Sequence, residues 1–121
     1  MIFQIIDDVL DVTATEAQLG KPAGHDLLEG VYTLPVLRTM ALEQPEAAEL
    51  TELLGRPLDA EQQQRALAIV REGDGVDSAL ETAREFAQRA ADACGSFPDS
   101  PATAALAAAP AALLATVTSS V

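Results

Sequence analysis

Basic residues are scarce, with seven Lys and Arg against nineteen Asp and Glu in 121 residues, a formal net charge of -12. That field repels polyanions and attracts cations, so nucleic acid is excluded as a partner. A phosphate-bearing small molecule could bind only with a divalent cation or a local basic residue to offset the repulsion. Cys94 is the single cysteine, so no intramolecular disulfide can form. His25, the single histidine, has no Cys or His partner for a zinc-type site and reads as an exposed loop residue. Cys94 itself reads as an inert buried thiol. Aromatics are 3% of the chain, and no stretch alternates apolar and polar residues with period two, so a sheet is not indicated. The N-terminus lacks a basic region ahead of its apolar run, which argues against a secretory signal and leaves the cytoplasm as the default location. Only 100–121 is free of charge over a length that could cross a bilayer. It is rich in alanine, holds Pro101 and Pro110 and has no basic flank. No stable membrane span is therefore expected, and a buried terminal helix is.

The apolar periodicity that is present belongs to helices. In 1–13, Ile2, Phe3, Ile5, Ile6, Val9, Leu10 and Val12 cover about half of a helical circumference, and Gln4, Asp7, Asp8 and Asp11 form one narrow polar stripe. Such a helix is expected to be buried on most sides, with the stripe facing a cavity. Met1 offers no capping side chain, which suggests that the sequence enters inside a helix. Residues 14–31 read as a loop, punctuated by Gly20, Pro22, Gly24 and Gly30, of a length that is often functional. Thr33 can cap a helix from Leu34 to about Glu43, ended by Pro45. Further helices are expected over 46–54, 60–72 with Asp59 as cap, and 76–94 with Gly95 as stop. A last one follows Asp99 or Ser100, with Pro101 in its first turn and Pro110 bending or ending it. The fold class is all-α, and no linker divides the chain.

Asp7, Asp8 and Asp11 spell D-D-x-x-D. Spacings of three and four residues bring carboxylates to one helix face, where like charges repel. A solvated acidic face is one reading of such a motif. The apolar flanks favour the other, a site for Mg²⁺, which takes one or two carboxylates, keeps several waters and completes its shell with phosphate oxygens. Lys21, between Gly20 and Pro22, could meet a diphosphate as a point charge or be an ordinary exposed lysine. Asp26 could orient metal-bound water or cap the next helical stretch. Gln4 could enter the cavity or pair with Asp8 one turn on.

The strings Phe3-Gln4-Ile5-Ile6-Asp7-Asp8-Val9-Leu10-Asp11, Leu19-Gly20-Lys21-Pro22-Ala23-Gly24-His25-Asp26-Leu27 and Thr33-Leu34-Pro35 together resemble the second aspartate-rich region of the trans-isoprenyl (polyprenyl) diphosphate synthases. A weaker likeness continues through Gly73 and Gly75 and through Phe97-Pro98-Asp99-Ser100-Pro101. The resemblance implies the C-terminal helices of an isoprenoid-synthase-type bundle, incomplete here. Residues 1–35 would be its motif region and 36–121 its packing helices. It implies Mg²⁺-dependent joining of isopentenyl diphosphate to an allylic diphosphate. Asp7 would be a direct metal ligand, and Asp8 and Asp11 would ligate or support through water. Asp26 would hold metal-bound water, Lys21 would touch the diphosphate, and Phe3 and Gln4 would line the substrate cavity.

Two departures matter. Val31 stands where many family members carry a basic residue. No second D-D-x-x-D, no G-G-K-R-like stretch and no Lys-Thr motif occurs in these residues, so the chain alone is expected to be inactive. Either a homo-oligomer or docking on a complementary synthase chain is expected. A non-catalytic helical partner of a full-length synthase is the alternative.

Overall fold

The computed structural model describes residues 1–20 and 22–118. They form eight helices and no strand. In chain order these are α1 (Ile2–Thr13), α2 (Glu16–Leu19), α3 (His25–Leu28), α4 (Leu34–Met40), α5 (Pro45–Leu54), α6 (Ala60–Glu72), α7 (Gly75–Cys94) and α8 (Pro101–Thr118). The core helix is α7, which packs on α4, α8 and α1. Its side toward them is lined by Val76, Ala79, Leu80, Ala83 and Ala87, small enough for neighbouring backbones to come close.

Backbones come close at the start of α7. A β-carbon on Gly75 would overlap Thr39 Oγ1 and lie 2.7 Å from both the Pro35 carbonyl oxygen and the Thr39 amide nitrogen. Thr39 is itself buried and donates its hydroxyl to the Pro35 carbonyl at 2.8 Å. One turn further along the pair, Arg38 of α4 donates to Ser78 Oγ at 3.2 Å and Thr82 Oγ1 at 3.1 Å on α7. Glycine and guanidinium thus set the α4–α7 separation together.

The Asp59 cap is as expected, and complete. Its carboxylate accepts from Gln62 N–H at 2.8 Å, while Gln62 Oε1 accepts from Asp59 N–H at 3.0 Å. Arg65 of α6 grips Glu49 of α5 through two 2.7 Å bonds, and that pairing holds the Glu49 carboxyl below its usual range.

Several boundaries depart from expectation. Within 14–31 the short helices α2 and α3 interrupt the loop. α4 stops at Met40, and Pro45 begins α5 instead of ending α4. Proline in a first turn sacrifices no hydrogen bond, which is why it serves as a start there. α8 continues through Pro110. The carbonyl that loses its donor belongs to Leu106, which is exposed, so water can replace the bond. Nor is α8 buried as expected: only Leu114 and Val117 are. Alanine all round the helix gives no single face whose burial dominates, so packing concentrates where the larger Leu and Val side chains cluster. By length and composition α8 is apolar enough to cross a membrane.

Candidate functional site

α1 carries the acidic motif and divides lengthwise. Ile5, Ile6, Val9 and Val12 are buried, and they anchor the helix in the core. On the opposite arc Phe3 is 71% exposed, and Gln4 and Asp7 are exposed too. The expectation of a helix buried on most sides is therefore corrected. Among the described residues no element covers the Phe3 arc, so that arc meets solvent.

The three motif aspartates experience different surroundings. Asp7 is exposed, Asp8 is half-buried and Asp11 is 2% exposed. Helical spacing alone puts Asp11 on the same open arc as Gln4 and Asp7. What buries it is the chain that follows. The segment after α2 folds back over the end of α1, where Gly24 N–H donates to the Asp11 carbonyl at 2.7 Å and Asp26 N–H donates to Asp11 Oδ2 at 3.2 Å.

That return depends on Gly24. Its φ of 73° lies in the left-handed region, and a β-carbon there would come within 3.2 Å of Leu67 Cδ1 on α6. We expect Gly24→Ala to destabilise the chain by about 1–3 kcal/mol, combining backbone strain with a tight contact. Chemical denaturation should show this as a lowered midpoint with an unchanged slope.

Gly24 also occupies the N-cap of α3, so Asp26 lies in that helix's first turn and does not cap it. A carboxylate there still favours the helix dipole. His25 sits in the same turn, half-buried, with Nε2 3.9 Å from Glu29 Oε1. Lys21 lies outside the described residues. Cys94 is buried, as expected.

Asp8 feels this crowding most. Burial, then the carboxylates of Asp26, Asp7 and Asp11, push its pKa above the usual carboxylate range. Folding thus disfavours its ionised form, and stability from this group is lost as pH rises through the raised pKa. A cation among the carboxylates would reverse that penalty. Their hard oxygen donors fit Mg²⁺ or Ca²⁺ better than a softer metal. Among the described residues no group of three His, Cys, Asp or Glu side chains is placed to hold a metal ion. One or two carboxylates, completed by water and phosphate, is the set that Mg²⁺ accepts.

Arg71 was not evident from the sequence. From α6 its Nε donates to the Val12 carbonyl and its Nη2 to the Ala14 carbonyl, 3.3 Å away. These are carbonyls that the end of α1 leaves without helical donors. A contact with a residue so distant in sequence leaves no local signal.

The Polyprenyl synthetase family profile matches residues 1–71, more than half of the chain. The chain belongs to that family. It is 36% identical over 108 residues to heptaprenyl diphosphate synthase component 2 of Bacillus subtilis, covering 89% of this chain and 30% of that protein. To nonaprenyl diphosphate synthase of Mycobacterium tuberculosis it is 36% identical over 107 residues, 88% of this chain and 32% of the relative. Among solved structures it is similar to a geranylgeranyl pyrophosphate synthase from Corynebacterium glutamicum complexed with calcium and isoprenyl diphosphate. That match has a TM-score of 0.86 and 34% identity, over 97% of this chain and 36% of the other. A heptaprenyl diphosphate synthase from Staphylococcus aureus matches with a TM-score of 0.85 and 30% identity, over 95% of this chain and 36% of the other. The chain thus spans about a third of these polyprenyl synthetase relatives, and its fold is that of their C-terminal region.

Proposed function

We propose that this chain is the C-terminal, metal-holding portion of a polyprenyl diphosphate synthase, which joins isopentenyl diphosphate to an allylic diphosphate once complementary helices complete the site. The observation that carries this reading is the acidic cluster of α1. Asp7 is open to solvent, while burial and then three carboxylate neighbours raise the pKa of Asp8, beside a loop closed over the same helix. The 34% identity to a protein solved with calcium and isoprenyl diphosphate supports it.

Asp7 and Asp8 would hold Mg²⁺ on their exposed side, with Asp26 beside them and Asp11 at the base of the motif. When bound, Mg²⁺ neutralises charge on the departing pyrophosphate and so lowers the barrier to its release. Lys21 would add a positive charge for the diphosphate, which a chain of net charge -12 needs close by. Phe3 and Gln4, on the same open arc, would line the wall for the prenyl chain. Phe3, at 71% exposure, supplies a ring that only a further element or a substrate would cover.

The complementary helices would come from another chain or from a longer form of this one. Similarity to two heptaprenyl synthases described as component 2 supports a partner component. Mixing this chain with a chain bearing the N-terminal two thirds of a family member tests the proposal. Prenyl transfer should appear in the mixture, require Mg²⁺ and vanish with EDTA. Stable docking without turnover would instead favour a non-catalytic partner.

A further inference from the structure

The first two aspartates of the motif and the third present themselves differently. Asp7 is exposed and Asp8 half-buried, whereas Asp11 is 2% exposed and packed beneath the chain segment that returns over α1. Among the described residues Asp11 engages that segment through two hydrogen bonds. Its carbonyl accepts from Gly24 N–H at 2.7 Å, and its Oδ2 accepts from Asp26 N–H at 3.2 Å. Gly24 reaches this position in a left-handed conformation, and the helix it starts is secured in turn by Val31 N–H donating to the Asp26 carbonyl at 2.8 Å.

We propose that Asp11 is a positioning residue, a clasp that holds the Gly24–Asp26 return against α1, and that the metal-facing carboxylates of this chain are Asp7 and Asp8. The inference rests on the metal-holding function proposed above and gives Asp11 a different role within it. Mg²⁺ sheds its waters reluctantly and usually keeps several. A carboxylate 2% exposed, with a backbone N–H on one oxygen, has little room for a hydrated ion. Buried carboxylates are instead stabilised by hydrogen bonds of this charge-assisted kind, which are about twice as strong as neutral ones. Closing the return over α1 also fixes Asp26 beside Asp8, and Lys21 shortly precedes Gly24 in the sequence. Asp11 therefore acts on the diphosphate through the segment it holds.

The test uses the full chain and two readouts. Amide hydrogen exchange at Gly24 and Asp26 in Mg²⁺-free buffer reports the clasp. Mg²⁺-dependent binding of inorganic pyrophosphate, followed by calorimetry, reports the metal site. Asp11→Ala should speed exchange at the two amides by about tenfold or more, as expected when a hydrogen bond to a charged group is lost. Exchange within α7 should change far less, which separates loop opening from general unfolding. Asp11→Asn keeps a carbonyl oxygen for Asp26 N–H. It should restore protection to within about threefold of the parent and retain Mg²⁺-dependent pyrophosphate binding. Asp7→Ala should do the reverse, leaving the amides protected while binding is lost.

Two results would overturn the proposal. One is unchanged exchange at Gly24 and Asp26 in Asp11→Ala. The other is an Asp11→Asn chain with parental exchange that loses pyrophosphate as fully as Asp7→Ala, since Asp11 would then be a ligand. Should the parent chain bind no pyrophosphate with Mg²⁺, the metal-holding function fails; the exchange data still decide whether the clasp exists.

Discussion

Asp7→Ala should lower prenyl transfer by the complemented enzyme by roughly 10²–10³-fold, the range seen when one preorganised electrostatic contact to a developing charge is removed. Folding should hardly notice. Asp7 is exposed, and substitutions of exposed side chains away from caps and ion pairs usually change stability by no more than about 0.5 kcal/mol. Removing it also relieves one of the carboxylates that crowd Asp8. The combination of a large kinetic loss with an unchanged melting curve distinguishes a ligand from a structural residue. Steady-state rates with saturating Mg²⁺, set beside thermal denaturation of the same preparation, would measure both. A parental rate would remove Asp7 from the site.

Gly75→Ala should have the largest effect on stability. Two effects oppose each other. Alanine gains about 1 kcal/mol over glycine in a helix interior, and less near a terminus. Against this, the new methyl overlaps Thr39 Oγ1 and sits 2.7 Å from backbone atoms of Pro35 and Thr39, which cannot rotate away. Overpacking of a close helix contact costs typically about 1–3 kcal/mol and more where backbone must shift. Spreading α4 from α7 would also disturb the bonds from Arg38 to Ser78 and Thr82. A net loss of about 3 kcal/mol is expected, a large share of the 5–15 kcal/mol on the order of which single domains are stable. Circular dichroism should show a melting midpoint lower by about 10 °C or more. Adding Thr39→Ala should recover only some of the loss, because the two backbone contacts remain. Full recovery would place the clash in the threonine side chain alone.

How far the sequence revealed these features depended on how local their causes are. The α6 start was legible because Asp59 and Gln62 lie within one turn and satisfy each other. α7 was legible because small apolar residues recur at spacings of three and four. α2 and α3 were not, since four residues are too few for a periodicity to register. Pro45 shows the ambiguity of proline, which can follow one helix or begin the next. The exposure of α8 was not legible, because apolar composition brings burial only where one face is favoured, and alanine all round a helix favours none.

Within the site, the D-D-x-x-D spacing located the carboxylates correctly on one helix, and composition indicated why a cation would be needed among them. Spacing could not distinguish Asp11 from Asp7. Their difference arises from a segment fifteen residues on, which buries one and leaves the other open. Arg71 is a stronger case of the same limit, since its hold on the end of α1 bridges almost half of the chain. Contacts of this range are set by tertiary packing, and one sequence carries no local trace of them.

In the proposed mechanism α1 grips a diphosphate only through a divalent ion. Calorimetric titration of inorganic pyrophosphate into the chain, once with Mg²⁺ and once with EDTA, tests this most directly. Saturable heat with Mg²⁺ and none with EDTA is the predicted result; the same heat in both, or none in either, would contradict it.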